Sequence, residues 1–100
     1  MINIIESIKA EFWGYAEQKR LELVLEKKDR LKYKSPSRMF QLDRDEIFLA
    51  MKDAIAKSLE KAGIDFVRSS FGIIIQKTTQ KPRILITVDA DTEFCYFIVS

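Results

Sequence analysis

The sequence predicts an α+β domain in which two helices pack on one face of a three-stranded antiparallel sheet, in the order α-α-β-β-β. Three observations carry that expectation. Ile5, Ile8, Phe12, Tyr15 and Ala16 recur at helical spacing near the start of the chain. A second helical stripe, Ile47, Phe48, Met51, Ala54, Ile55 and Leu59, lies between start and stop signals. From Phe66 to Val99 the chain is rich in β-branched and aromatic residues and is divided by short polar turns.

The first helix is expected from about Asn3, with Glu6, Lys9, Glu11 and Glu17 largely opposite the apolar stripe and Gly14 weakening it slightly. Beyond Gln18 the pattern supports two readings. Leu21, Val24 and Leu25 suit a helix, and Glu, Leu, Lys and Arg all favour one, so the helix is continued to about Lys28. The alternation of Leu21, Leu23 and Leu25 suits a strand instead, in a hairpin pairing Leu21–Leu25 with Leu31–Tyr33.

Lys34-Ser35-Pro36-Ser37-Arg38 is a connector, because proline biases the residue before it away from helix and serines favour turns. Asp43 with Glu46 three residues on resembles a capping box at the start of the second helix. Gly63 followed by Ile64 fits a left-handed stop at its end. The strands are then expected over Phe66–Lys77, Arg83–Val88 and Glu93–Val99, with turns at Thr78–Pro82 and Asp89–Thr92 and a bulge or close backbone approach at Gly72.

A chain of 100 residues supports one domain, residues 1–100, with one core, and buries only about two thirds of the surface its unfolded form exposes. At 47% hydrophobic and 32% charged residues, with two prolines and three glycines, the composition is that of an ordinary folded protein. Glu6, Lys9 and Glu11 interrupt the apolar residues at the N-terminus, so no secretory signal is read there. Phe94–Val99 is too short an apolar run to span a bilayer. The single cysteine, Cys95, has no internal partner and reads as a buried free thiol in a reducing compartment, which places the protein in the cytoplasm.

There is no histidine. That removes the imidazole base, the common serine and cysteine triads and the histidine ligands of zinc, and one cysteine leaves no structural zinc site. The stretch Val88-Asp89-Ala90-Asp91-Thr92, closing an apolar strand, resembles the first motif of haloacid-dehalogenase-type phosphatases. The resemblance implies Asp89 as nucleophile, Asp91 as acid and magnesium as partner. That family places the motif near the start of a large α/β domain, so the stretch is read here as a turn rich in aspartates. Asp89, Asp91 and Glu93 offer oxygen ligands of the kind magnesium or calcium takes, but no metal and no cofactor is assigned.

Charge is segregated along the chain. Arg30, Lys32, Lys34, Arg38 and Arg44 outnumber Asp29 and Asp43 in one block, and Arg68, Lys77, Lys81 and Arg83 form a second with no acid. United on one surface they would bind nucleic acid through phosphates, with Tyr33, Phe40 or Phe71 available for stacking. The competing class is protein interaction. Phe94–Val99 is apolar on both faces, more than two helices need to cover, and Ile4, Ile5, Ile8, Phe12 and Trp13 form a second apolar cluster whose default role is core packing. The mixed signs of charge around that cluster argue against a membrane surface.

The expectation is therefore a non-enzymatic binding or regulatory protein acting through another protein, with homodimerisation as one outlet and Phe94, Tyr96, Ile98 and Trp13 as interaction residues. The alternative is a nucleic-acid-binding accessory protein using segments 30–44 and 68–83, with Lys32, Lys34, Arg38, Arg68, Lys77, Lys81 and Arg83 as contacts.

Overall fold

The computed structural model describes residues 4–35, 44–68, 72–75, 84–90 and 93–99, with the backbone alone at 72–75, 84 and 85. Among the described residues the chain forms two helices and six strands. These are α1 (Ile4–Gln18), β1 (Glu22–Lys27), β2 (Arg30–Lys34), α2 (Arg44–Lys61), β3 (Val67–Arg68), β4 (Gly72–Ile75), β5 (Ile84–Ala90) and β6 (Phe94–Val99). The strands make one antiparallel sheet in the order β1-β2-β6-β5-β4-β3. The class is α+β, but the order α-α-β-β-β and the three-stranded sheet are wrong: a hairpin separates the two helices.

The first helix stops ten residues short of the expected Lys28, at Gln18. Its last turn closes by a Schellman motif, in which the Leu21 amide donates to the Ala16 carbonyl (2.8 Å) and the Arg20 amide to Glu17 (3.1 Å). Arg20 occupies the left-handed position of that motif with φ 58°. The same motif ends α2, where Ile64 donates to Leu59 and Gly63 to Glu60. There the left-handed residue is Gly63, as the sequence predicts. Leu21 and Ile64 then each turn an apolar side chain back towards the core.

After Leu21 the chain reverses into the hairpin β1–β2, the alternative pairing read from the sequence. The register is Leu23 opposite Tyr33, then Leu25 opposite Lys32, so Val24 is an extra residue that makes a bulge. The stretch Phe66–Lys77 is not one strand either, since Val67 and Arg68 pair antiparallel with Ile74 and Ile73. Asp89 and Ala90 belong to β5, opposite Tyr96 and Cys95, and are not a turn. The Asp43 cap, the Thr78–Pro82 turn and Asp91 and Thr92 lie outside the described residues; Gly72 opens β4 opposite Thr87.

Both helices cover one face of the sheet. Ile5, Ile8, Phe12 and Ala16 of α1 and Ile47, Met51, Ala54, Ile55 and Leu59 of α2 are buried with Leu31, Tyr33, Ile86, Cys95 and Phe97. Phe12 is the hub: its ring centroid lies 5.1 Å from Phe97 and 5.2 Å from Tyr33, both edge-on, and 5.5 Å from Tyr15. Burying a side chain of this size contributes about 1.5–3 kcal/mol, and each aromatic pair about 0.5–1.5 kcal/mol more. Ser58 is buried in α2, and its hydroxyl donates to the Ala54 carbonyl at 2.8 Å.

Ion pairs fix how the elements lie. Lys61 pairs with Glu11, and Lys19 with Glu46 at 3.2 Å, which sets α1 and α2 antiparallel. Lys9 reaches Glu26 of β1 at 2.7 Å, and Arg68 reaches Asp53 of α2 at 3.0 Å. Exposed pairs of this kind contribute about 0–1 kcal/mol each, so they set orientation more than stability. No described helix is long and apolar enough to cross a membrane.

Candidate binding face of the sheet

Alternation in β2 and β6 divides the sheet into two chemically different faces. Leu31 and Tyr33 of β2, and Cys95 and Phe97 of β6, are buried under the helices. Their neighbours Arg30, Lys32 and Lys34, and Phe94, Tyr96 and Ile98, therefore project to the other side, because successive side chains on a strand point to opposite faces. No described helix lies there. Phe94, Tyr96 and Ile98 are half-buried, and none joins the core under the helices, whereas Leu23, Val88, Ala90 and Val99 pack against that core.

The pairing register arranges this open face in three rungs. Glu22, Lys34 and Phe94 stand side by side; then Leu25, Lys32, Tyr96 and Asp89; then Lys27, Arg30, Ile98 and Thr87. The bulge at Val24 makes the middle rung. It moves Leu25 to the open face and returns Glu26 to the helix side, where Lys9 meets it. The Ser35 amide donates to the Glu93 carbonyl and the Val99 amide to the Asp29 carbonyl, both at 2.8 Å, which pins the β2–β6 pair at its two ends.

The ammonium of Lys32 lies 4.0 Å from the centroid of the Phe94 ring and 5.5 Å from that of Tyr96. A cation held over aromatic faces at an exposed site contributes about 0.5–1 kcal/mol. It also keeps a positive charge in the middle of the apolar ladder. Among the described residues the face is an apolar strip, Phe94, Tyr96 and Ile98, with a cationic border of Lys34, Lys32, Arg30 and Lys27 and with the acids Glu22 and Asp89.

The residues singled out from the sequence separate into distinct places. Phe94, Tyr96, Ile98, Lys32 and Lys34 come together on the open face. Trp13 is on α1, in the helix layer, and is largely exposed rather than packed in the core. Arg68 is on the helix side, bonded to Asp53, so it does not share a surface with Lys32 and Lys34. Arg38, Lys77, Lys81 and Arg83 lie outside the described residues, as do Phe40 and Phe71. Tyr33 is buried and unavailable for stacking; burial, then the nearby Cys95 and Glu26, push its hydroxyl up to about 12. Leu25, Arg30 and Lys27 belong to the face but were not singled out as interaction residues, and only the register reveals Leu25.

The described residues hold little that resembles a reaction centre. Cys95 is buried under the helices and forms no disulfide. The carboxylate of Asp89 accepts the Ala90 amide at 2.8 Å within its own strand. No group of three or more acidic or cysteine side chains is placed to hold a metal among the described residues. The depression lined by Glu60, Gly63, Ile64, Asp65 and Phe66, at the end of α2, is open and lacks converging catalytic groups. Comparison with protein-family models, with curated proteins and with solved structures finds no match to this chain.

Proposed function

We propose that the protein is a small binding or regulatory protein of the cytoplasm, without cofactor or catalysis of its own, that docks a partner protein on the helix-free face of its sheet. The observation that carries this reading is the set of three adjacent rungs that line Phe94, Tyr96 and Ile98 beside Lys34, Lys32 and Arg30. Apolar strips bordered by charge are the surface chemistry of protein docking, with aromatic side chains and arginine the residue types that most often anchor it. The cationic border suits a partner whose contacting surface is acidic around an apolar centre. A single cysteine, buried and in no disulfide, supports the reducing interior of the cell as its place.

A second reading, single-stranded nucleic acid on the same face, is favoured by Phe94 and Tyr96 standing two residues apart beside four cations. Two features weigh against it: Lys32 already occupies the ring faces on which bases would stack, and Glu22 and Asp89 would repel phosphates. The two readings separate in one comparison. The wild-type protein, Tyr96→Ser and Lys32→Glu are each immobilised for capture from cell extract, and each is titrated against short single-stranded DNA and RNA across a salt series. The protein reading expects a discrete polypeptide held by the wild type and lost from Tyr96→Ser, with no oligonucleotide affinity. Oligonucleotide affinity that falls steeply with salt and vanishes in Lys32→Glu overturns it in favour of the second.

A further inference from the structure

We propose that two copies of this chain associate side by side through β1, extending the sheet across a two-fold axis that passes between Val24 and Leu25. The inference is independent of what docks on the open face. β1 is an edge of the sheet, so one side of its backbone has no strand partner among the described residues. Its sequence is self-complementary when paired antiparallel with itself. Centred between Val24 and Leu25, that pairing sets Glu22 opposite Lys27 of the second copy, Leu23 opposite Glu26, and Val24 opposite Leu25.

The bulge is what makes the faces agree. In an uninterrupted strand, positions 22 and 27 would point to opposite sides. Here Glu22 pairs with Lys34 and Lys27 with Arg30, both on the open face, while Leu23 and Glu26 both face the helices. Opposite residues in an antiparallel pair share a face, so the Glu22–Lys27 and Leu23–Glu26 matches are satisfied together and occur twice by symmetry. Charges on an edge normally discourage pairing with unrelated strands. Those of β1, acid at one end and base at the other, discourage foreign strands while fitting a second copy.

The helix layer adds one exposed apolar side chain near the same axis. Trp13 is 57% exposed. Lys9, one helical turn before Trp13 on the same flank of α1, reaches Glu26 of β1. The Leu21–Ala16 hydrogen bond turns β1 back antiparallel to α1. Four residues of helix advance about 6 Å, or about two residues of strand, so Trp13 stands level with Val24, beside the axis. In the dimer the two Trp13 side chains close over the paired edges from the helix side.

Trp13 is the one tryptophan of the chain, so its emission reports on the association. Sedimentation equilibrium and Trp13 emission of the intact protein are measured over a concentration series, for the wild type, Glu22→Lys, Lys27→Glu and an equimolar mixture of the two variants, with circular dichroism to show that each is folded. The wild type is expected to dimerise with a blue shift of Trp13 emission. Each single variant sets like charges opposite one another twice and is expected to weaken its own dimer about tenfold or more. The mixture restores both opposite-charge pairs and is expected to recover wild-type association as a heterodimer. A wild type that stays monomeric, single variants that dimerise as well as it does, or a mixture no better than its components would overturn the proposal.

Discussion

Replacing Arg20 by glycine should stabilise the protein, because Arg20 holds the left-handed position that ends α1, with φ 58°. A residue with a Cβ gives up about 1–2 kcal/mol in that conformation, which glycine adopts without penalty. Glycine also makes the unfolded chain freer, which offsets about 0.4–1 kcal/mol of the gain. The Arg20 side chain is exposed, so little packing is lost. The net expectation is a gain of about 1 kcal/mol, read as a rise in midpoint of about 4–8 °C for a domain of this size. Gly63→Ala provides the mirror experiment. Gly63 has φ 69° with nothing within 4 Å of an added Cβ, so the backbone conformation alone is tested. It should lose about 1 kcal/mol. Thermal and urea melts of both variants check the pair. An Arg20→Gly protein no more stable than wild type, alongside a destabilised Gly63→Ala, would refute the reasoning for α1.

Phe12→Ala removes the ring that meets Tyr15, Tyr33 and Phe97 and should cost about 3–5 kcal/mol in urea denaturation, enough to unfold much of the population if total stability is low. Tyr33 gives an alkaline signature. Its folded pKa, about 12, lies above its unfolded value near 10, so the stability it contributes is fully present below pH 10 and is lost as pH rises from 10 through 12. That loss amounts to roughly 2–3 kcal/mol, and Tyr33→Phe, compared with wild type by urea melts across this range, should lack it.

How much of this was legible in the sequence depends on whether the signal was local. α2 was legible because its stripe is bracketed, with Glu46 in the first turn and Gly63 at the left-handed stop. The end of α1 was hidden because Arg20 stands where glycine would have announced it. The hairpin that follows is built from residues of high helix propensity, and the bulge at Val24 breaks the alternation that marks a strand. Trp13 carried a usable signal: Phe12 continues the row Ile5, Ile8 and Ala16, so the next residue must lie about 100° around the helix from it. The apolar character of both faces of β6 was also readable. What no local pattern gives is that β2 lies against β6, which joins residues 30–34 to 94–98 and sets the lysines beside the aromatics.

The open face is tested most directly by site-specific photo-crosslinking in the protein's native cells, with a photoreactive phenylalanine analogue at Tyr96 and, as control, at the exposed Lys57 of α2. A docking surface on the sheet predicts a discrete protease-sensitive adduct from position 96 and none from position 57. Equal labelling from both positions, or no adduct from position 96, contradicts it.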